Sequence, residues 1–164
     1  MRIIALSIAF VGISLTSNYV LSNVATAQNI SQSKTVSPNI NQANSFIYDW
    51  FYRLDSQISE TTLLTFLDPD NLLMQFPEMT VNNYDDFGKW YLGVQKAIKT
   101  NTHDVQQLEV TPRGNGFDVR LLVNWQAQTK EGEAINQTYQ QQWKLVTERE
   151  NRLLIQEYIV EEVE

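Results

Sequence analysis

Between residues 46 and 58 apolar side chains recur every three or four positions: Phe46, Ile47, Trp50, Phe51, Leu54 and Ile58. That spacing lays a broad apolar stripe along a helix, with Tyr48, Asp49, Tyr52 and Arg53 on its flanks or far side. Ser59 is a suitable N-cap for a second, shorter helix carrying Leu63, Leu64, Phe66 and Leu67. This helix should stop at Asp68-Pro69-Asp70, because Pro69 pushes the residue before it out of helical geometry. A short strand follows over residues 72–76, stopped by Pro77. Asn83 then caps a third helix bearing Phe87, Trp90, Tyr91, Val94 and Ile98, with Asp85 and Asp86 at the dipole's favourable end.

From about residue 102 the period changes from three-and-a-half to two, and residues 102–162 read as four antiparallel strands joined by three turns. Asn115-Gly116 suits a two-residue type I′ turn, since both central positions need positive φ. It would set Val110 opposite Leu121, Leu108 opposite Val123 and Gln106 opposite Trp125. A three-residue loop at Glu131-Gly132-Glu133 would pair Leu121 with Trp143, Trp125 with Tyr139 and Val119 with Leu145. Side chains alternate faces, so odd-numbered residues from Phe117 to Leu145 should share one apolar face with Asp104, Gln106, Leu108 and Val110. The last turn leaves two registers open. If Thr147 opposes Leu153, Glu157 faces inward with Trp143; if Glu150-Asn151 is a two-residue turn, Tyr158 and Val160 do so instead.

Composition adds a compartment and removes some partners. Met1-Arg2, the apolar run from Ile3 to Leu15 and Ala25-Thr26-Ala27 have the parts of a secretory signal over residues 1–27, cleaved before Gln28. The apolar run is short for a membrane span, so none is expected after cleavage. An exported protein, periplasmic or extracellular, is the reading. Residues 28–44, rich in Ser, Asn and Gln, are expected to be a flexible leader, leaving a single domain over 45–164. The chain carries 12 Lys+Arg against 19 Asp+Glu, a charge of −7; loss of Arg2 leaves 11 against 19, or −8. An acidic balance argues against nucleic acid as a partner. There is no cysteine, so stability has to come from burial.

The order helix, helix, short strand, helix, four long strands resembles the nuclear-transport-factor-2-like superfamily, including its SnoaL-like, polyketide-cyclase type. The residues that carry the likeness are Phe46 to Leu54 with Trp50, the run ending in Gln75-Phe76-Pro77, and Asp86-Phe87 ahead of Trp90. Val119 to Trp125 and Tyr139-x-x-x-Trp143-x-Leu145 complete it. The resemblance implies an α+β cone: a curved antiparallel sheet wrapped around three N-terminal helices, with a pocket at the open end. Members of the superfamily include isomerases, dehydratases, hydrolases, cyclases and non-catalytic binding domains, so fold alone leaves function open.

On the expected register the inward face is apolar near the first hairpin and polar-aromatic at the other end. The pocket would then be lined by Trp50, Trp90, Trp125, Tyr139, Gln141 and Trp143, with Asp104 and Gln106 or Gln137 orienting a ligand's polar end. The candidate catalytic groups are Asp104, whose pKa an apolar mouth would raise, with Glu157 or the Tyr52 hydroxyl. Alternation puts the single histidine, His103, on the outer face with Arg120. One histidine and no cysteine give neither a zinc nor an iron constellation, and no cofactor is expected. The outer face is rich in uncharged amides, among them Asn124, Gln126, Asn136 and Gln140, which suits pairing of two copies through the sheet. The leading expectation is a non-catalytic domain holding a small apolar or amphipathic molecule. The alternatives are an acid–base enzyme using Asp104, and a protein-interaction domain working through the outer sheet.

Overall fold

A computed structural model describes residues 38–163; the expected signal segment and most of the expected leader lie outside the described residues. Helix α1 (Ile40–Asp55) begins inside the segment read as leader. Asn39 and Gln42 form a capping box, each side chain bonding the other's backbone N–H, and Ala43 is fully buried. Composition alone missed this start because the first turn is polar and its stability comes from caps. Helix α2 (Glu60–Leu64) and strands β1 (Leu73–Gln75) and β2 (Thr80–Val81) follow. Helix α3 (Tyr84–Ala97) is capped by Asn83, whose side chain accepts from Asp86 N. It passes without a loop into β3 (Ile98–Arg113), which starts four residues earlier than the alternation suggested. Then come β4 (Gly116–Thr129), β5 (Ala134–Thr147) and β6 (Leu153–Glu162).

The six strands form one sheet in the order β2-β1-β6-β5-β4-β3. It is mixed rather than purely antiparallel, because β1 lies parallel to β6, Met74 opposite Tyr158. The helices cover its inner face. Trp50 is the centre of the core, fully buried, with its ring 5.8 Å from Phe66 and 6.3 Å from both Phe87 and Tyr158.

The register differs from expectation in two ways, and both have a physical cause. At the first hairpin Arg113 pairs Gly116, so the turn is Gly114-Asn115. Gly114 supplies the single positive φ (58°), the pattern of a II′ rather than a I′ turn. At the second, Thr129 N bonds Glu133 O, and Gly132 at φ 96° takes the last place of a Lys130-Glu131-Gly132 loop. Each turn slips the pairing by two residues, which leaves every side chain on its expected face: Leu108 meets Leu121, and Val119 meets Trp143.

Bulges do change faces. β3 carries a register shift between Val105 and Gln107, so Leu108 and Val110 on one side share a face with Val105 and His103 on the other. β6 carries another beside Ile155. Thr147 opposes Leu153 and Leu145 opposes Ile155, but beyond the bulge Lys144 opposes Glu157 and Trp143 opposes Tyr158. Each of the two registers left open by the sequence is therefore realised, on opposite sides of one extra residue.

Candidate functional site

The cone's open end holds a cavity of about 120 Å³. Its body is apolar: Leu54 from α1, Val94 from α3, Ile98 at the start of β3, and Val160 from β6. Phe76 and Trp90 stack across the mouth, nearly parallel, with centroids 4.2 Å apart. Trp90 Nε1 donates to Glu78 Oε1 at 2.9 Å, which anchors the loop between β1 and β2 over α3. Polar groups reach in from the sheet: Asn101 and His103 on β3, Trp125 on β4, Tyr139 and Gln141 on β5, and Tyr158 on β6.

His103 is the best-positioned ionisable group. Its ring lies between Phe51, stacked at 4.9 Å, and Trp125 at 6.5 Å. Nδ1 lies 2.6 Å from Oδ1 of Asp55, the last residue of α1, and the His103 backbone N–H donates to Oδ2 at 3.0 Å. The carboxylate can only accept, so it draws the imidazole proton to Nδ1. That leaves Nε2 as the basic nitrogen, with no hydrogen-bond partner among the described residues, on a ring that lines the cavity. A carboxylate holding the far nitrogen of an imidazole is the arrangement that orients a general base and stabilises the charge it gains.

Burial raises four phenols above their ordinary value near 10: Tyr84, Tyr91, Tyr139 and Tyr158. For Tyr139 the carboxylates of Glu162 and Glu78 add to the effect. Tyr158 is the most strongly shifted; the N–H groups of Trp50 and Gln141 pull the other way but are outweighed by burial. The folded protein holds phenol protons that the unfolded chain releases near pH 10. Their contribution to stability is therefore complete below pH 10 and is lost as pH rises above it. Urea midpoints should fall as pH rises above 10, with each phenol contributing at most about 1.4 kcal/mol per pH unit. Tyr158→Phe should flatten that slope; an unchanged slope would show that Tyr158 does not carry it.

Solved structures share this architecture. A nuclear transport factor 2-like superfamily protein from Salmonella enterica superposes with a TM-score of 0.69 at 11% identity, covering 76% of this chain and 90% of its own. The fold is that of the nuclear-transport-factor-2-like superfamily. A protein of Novosphingobium aromaticivorans assigned provisionally as a scytalone dehydratase matches with a TM-score of 0.63 at 13% identity, over 74% of this chain and 82% of that one. ActVI-ORFA from Streptomyces coelicolor matches with a TM-score of 0.61 at 10% identity, over 73% and 93%. At such identities the likeness establishes the fold. No family model and no curated protein matches the sequence.

Within this nuclear-transport-factor-2-like cone, several sequence-derived placements need correction. Asp104 is exposed and pairs with Asn124 on the outer face, because the bulge at residues 105–107 reverses the parity of β3 before the cavity is reached. Trp125 and Asp104 thus lie on opposite sides of the sheet, and His103 has the inward position. Gln106 is exposed at the bulge itself. Glu157 points outward to Lys144, Nζ to Oε2 2.5 Å, because the β6 bulge turns it away and turns Tyr158 in. Tyr52 is 70% exposed on the solvent side of α1. Trp50 and Trp143 are buried in the core rather than at the cavity wall, and Gln137, opposite Trp125, lies outside the lining. Trp90, Trp125, Tyr139 and Gln141 do line the cavity. His103 and Asn101 were not foreseen there, nor Asp55 behind His103, while Tyr158 faces in as one of the two registers left open. Among the described residues no group of three or more His, Cys, Asp or Glu side chains could hold a metal ion, and no helix is long and apolar enough to cross a membrane.

Proposed function

We propose that the protein is an exported cone-pocket protein that binds a small apolar or amphipathic molecule and exchanges a proton with it through His103 and Asp55. The observation that carries this reading is the Asp55–His103 pair itself, with Nε2 left free on a cavity-lining ring. The sequence favoured binding without chemistry because no histidine or second acid stood in the pocket on its register; the β3 bulge removes that reason. Apolar walls with a few convergent polar groups suit a ligand that is mostly apolar with one polar end. A proton-transferring imidazole there supports the reactions of isomerases, cyclases or dehydratases.

The test is solvent deuterium exchange. Small cyclic ketones carrying α-protons are incubated with the protein in D2O and followed by NMR. Accelerated loss of α-proton signal in the native protein, abolished in His103→Gln, supports proton transfer. A second reading, binding without turnover, is favoured by the fact that both Asp55 oxygens are spent on His103, clipping the end of α1 to β3. Ligand binding with no exchange would select it.

The outer face is supported as a pairing surface by its amides. Asn124 Nδ2 donates to Asn136 Oδ1 at 2.8 Å, and Gln126 Nε2 donates to Asn124 Oδ1 at 2.8 Å, a ladder of uncharged amides flanked on the same face by Asp104 and the Lys144–Glu157 pair. Light scattering should report a dimer; a monomer at high concentration would remove this part of the proposal.

A further inference from the structure

Six rings line the cavity: Phe76, Trp90, His103, Trp125, Tyr139 and Tyr158. Those of Trp125 and Tyr139 are inclined at 48° with centroids 6.3 Å apart, so they make two walls of a corner. The parallel pair of Phe76 and Trp90 stands at the mouth. The faces of aromatic rings carry the negative lobes of their quadrupoles, so a lining of this kind favours positive charge.

The polar groups of the wall have the same sign. Its indole N–H donors are spent, Trp90 on Glu78 and Trp125 on Asn101. Asn101 Nδ2 reaches the Leu54 carbonyl at 3.5 Å, and the Gln141 side chain bonds the Tyr158 hydroxyl while accepting from Trp143 Nε1. His103 Nε2 remains as a free acceptor, and the Tyr139 and Tyr158 hydroxyls can turn oxygen lone pairs inward. Glu78 lies on the lining, and Glu162 is the register partner of Tyr139. Both carboxylates add to burial in raising the Tyr139 phenol. No lysine or arginine lines the cavity, so an anion would be desolvated without a partner. A primary ammonium is strongly hydrated and would leave its water for too few acceptors. A quaternary ammonium has no N–H to satisfy, and ring faces attract it within about 6 Å of their centroids. The volume, about 120 Å³, is close to that of an engineered cavity of about 150 Å³ that takes up benzene, room for one compact head group.

We propose that the cavity takes up the quaternary ammonium head of a small organic cation of the choline class, with Trp125 and Tyr139 as its ring walls and Glu78 as its counter-ion. The inference rests on the binding half of the function proposed above, gives its amphipathic ligand a cationic end, and does not depend on turnover. The head belongs to a free cation rather than to a phosphocholine, whose phosphate would meet Glu78 and Glu162.

Four probes separate the outcomes. Choline has the charge and the methyl groups; 3,3-dimethyl-1-butanol has the same shape without the charge; ethanolamine has the charge without the methyl groups; phosphocholine adds an anion. Each is titrated into the full mature chain and followed through the Trp90 and Trp125 indole N–H signals in 1H–15N NMR spectra. Choline should bind at least about tenfold more tightly than each of the others. Glu78→Gln keeps an acceptor for the Trp90 N–H and removes the charge. It should weaken choline about three- to tenfold and leave 3,3-dimethyl-1-butanol unchanged. Tyr139→Leu removes a ring wall and should cut the ratio of choline to 3,3-dimethyl-1-butanol by a similar factor; it serves if Glu78→Gln does not fold. If 3,3-dimethyl-1-butanol or ethanolamine binds as tightly as choline, the inference is overturned and cavity binding stands. Equal binding of phosphocholine overturns the assignment to a free cation. Choline affinity unchanged in both variants puts the cation elsewhere on this acidic protein and overturns the inference too. If no probe binds, the inference falls, while the deuterium-exchange experiment still tests the proposed function by itself.

Discussion

Asp55→Asn is expected to slow proton exchange at the cavity by about 10²–10⁴-fold, as much as removing His103 itself. The asparagine amide would present an N–H where Nδ1 now finds a carboxylate oxygen. Nδ1 would become the acceptor and the ring proton would move to Nε2, which could then no longer take a proton from a ligand. The ring would stay in place between Phe51 and Trp125, so ligand affinity should change little. Measured side by side, deuterium exchange and probe affinity in Asp55→Asn separate a catalytic pair from a structural clip. If exchange persists at the native rate, His103 does not act as a base oriented by Asp55. If affinity and thermal stability both collapse while no exchange is ever seen, the pair is a clip.

Trp50→Ala should remove about 3–5 kcal/mol of stability, the range for truncating a large aromatic in a close-packed core. Against a typical total of about 5–15 kcal/mol for a domain, that is enough to leave the protein marginally folded at 37 °C. Trp50 is fully buried, and its ring meets Phe66, Phe87 and Tyr158 at once, so the void cannot collapse without moving both α3 and the sheet. A urea or thermal unfolding series measures the effect. Had Trp50 lined the cavity, its loss would weaken ligand binding with little cost in stability, and that result would contradict its position at the centre of the core.

Much of the cone was readable in the chain because helix and strand periods are local. The stripe from Phe46 to Ile58, the Asn83 cap and the alternation through β4 and β5 all appear where expected. Each of the two turns lies one residue earlier than expected, harmlessly, since the resulting slip of two in pairing preserves faces. The two bulges were not harmless. Each moves the acidic residue named as a catalytic candidate, Asp104 or Glu157, to the outside; the first brings in the unforeseen His103, and the second settles the open choice between Glu157 and Tyr158 in favour of Tyr158. A trace of both was present in the chain. Apolar positions run Leu108, Val110 but then Val105, three residues back; likewise Leu153, Ile155 give way to Tyr158, Val160. A three-residue gap in a two-residue rhythm is the mark of an inserted residue, and it changes which side chains meet a ligand.

From its residues alone this chain declares three helices, a curved four-strand array and an apolar interior, since those follow from periods, caps and turn chemistry within a few neighbours. The pairing of Asp55 with His103, 48 positions apart, belongs to the assembled sheet. One extra residue in β3 turns the imidazole inward, and only contact between distant segments decides where that residue is absorbed.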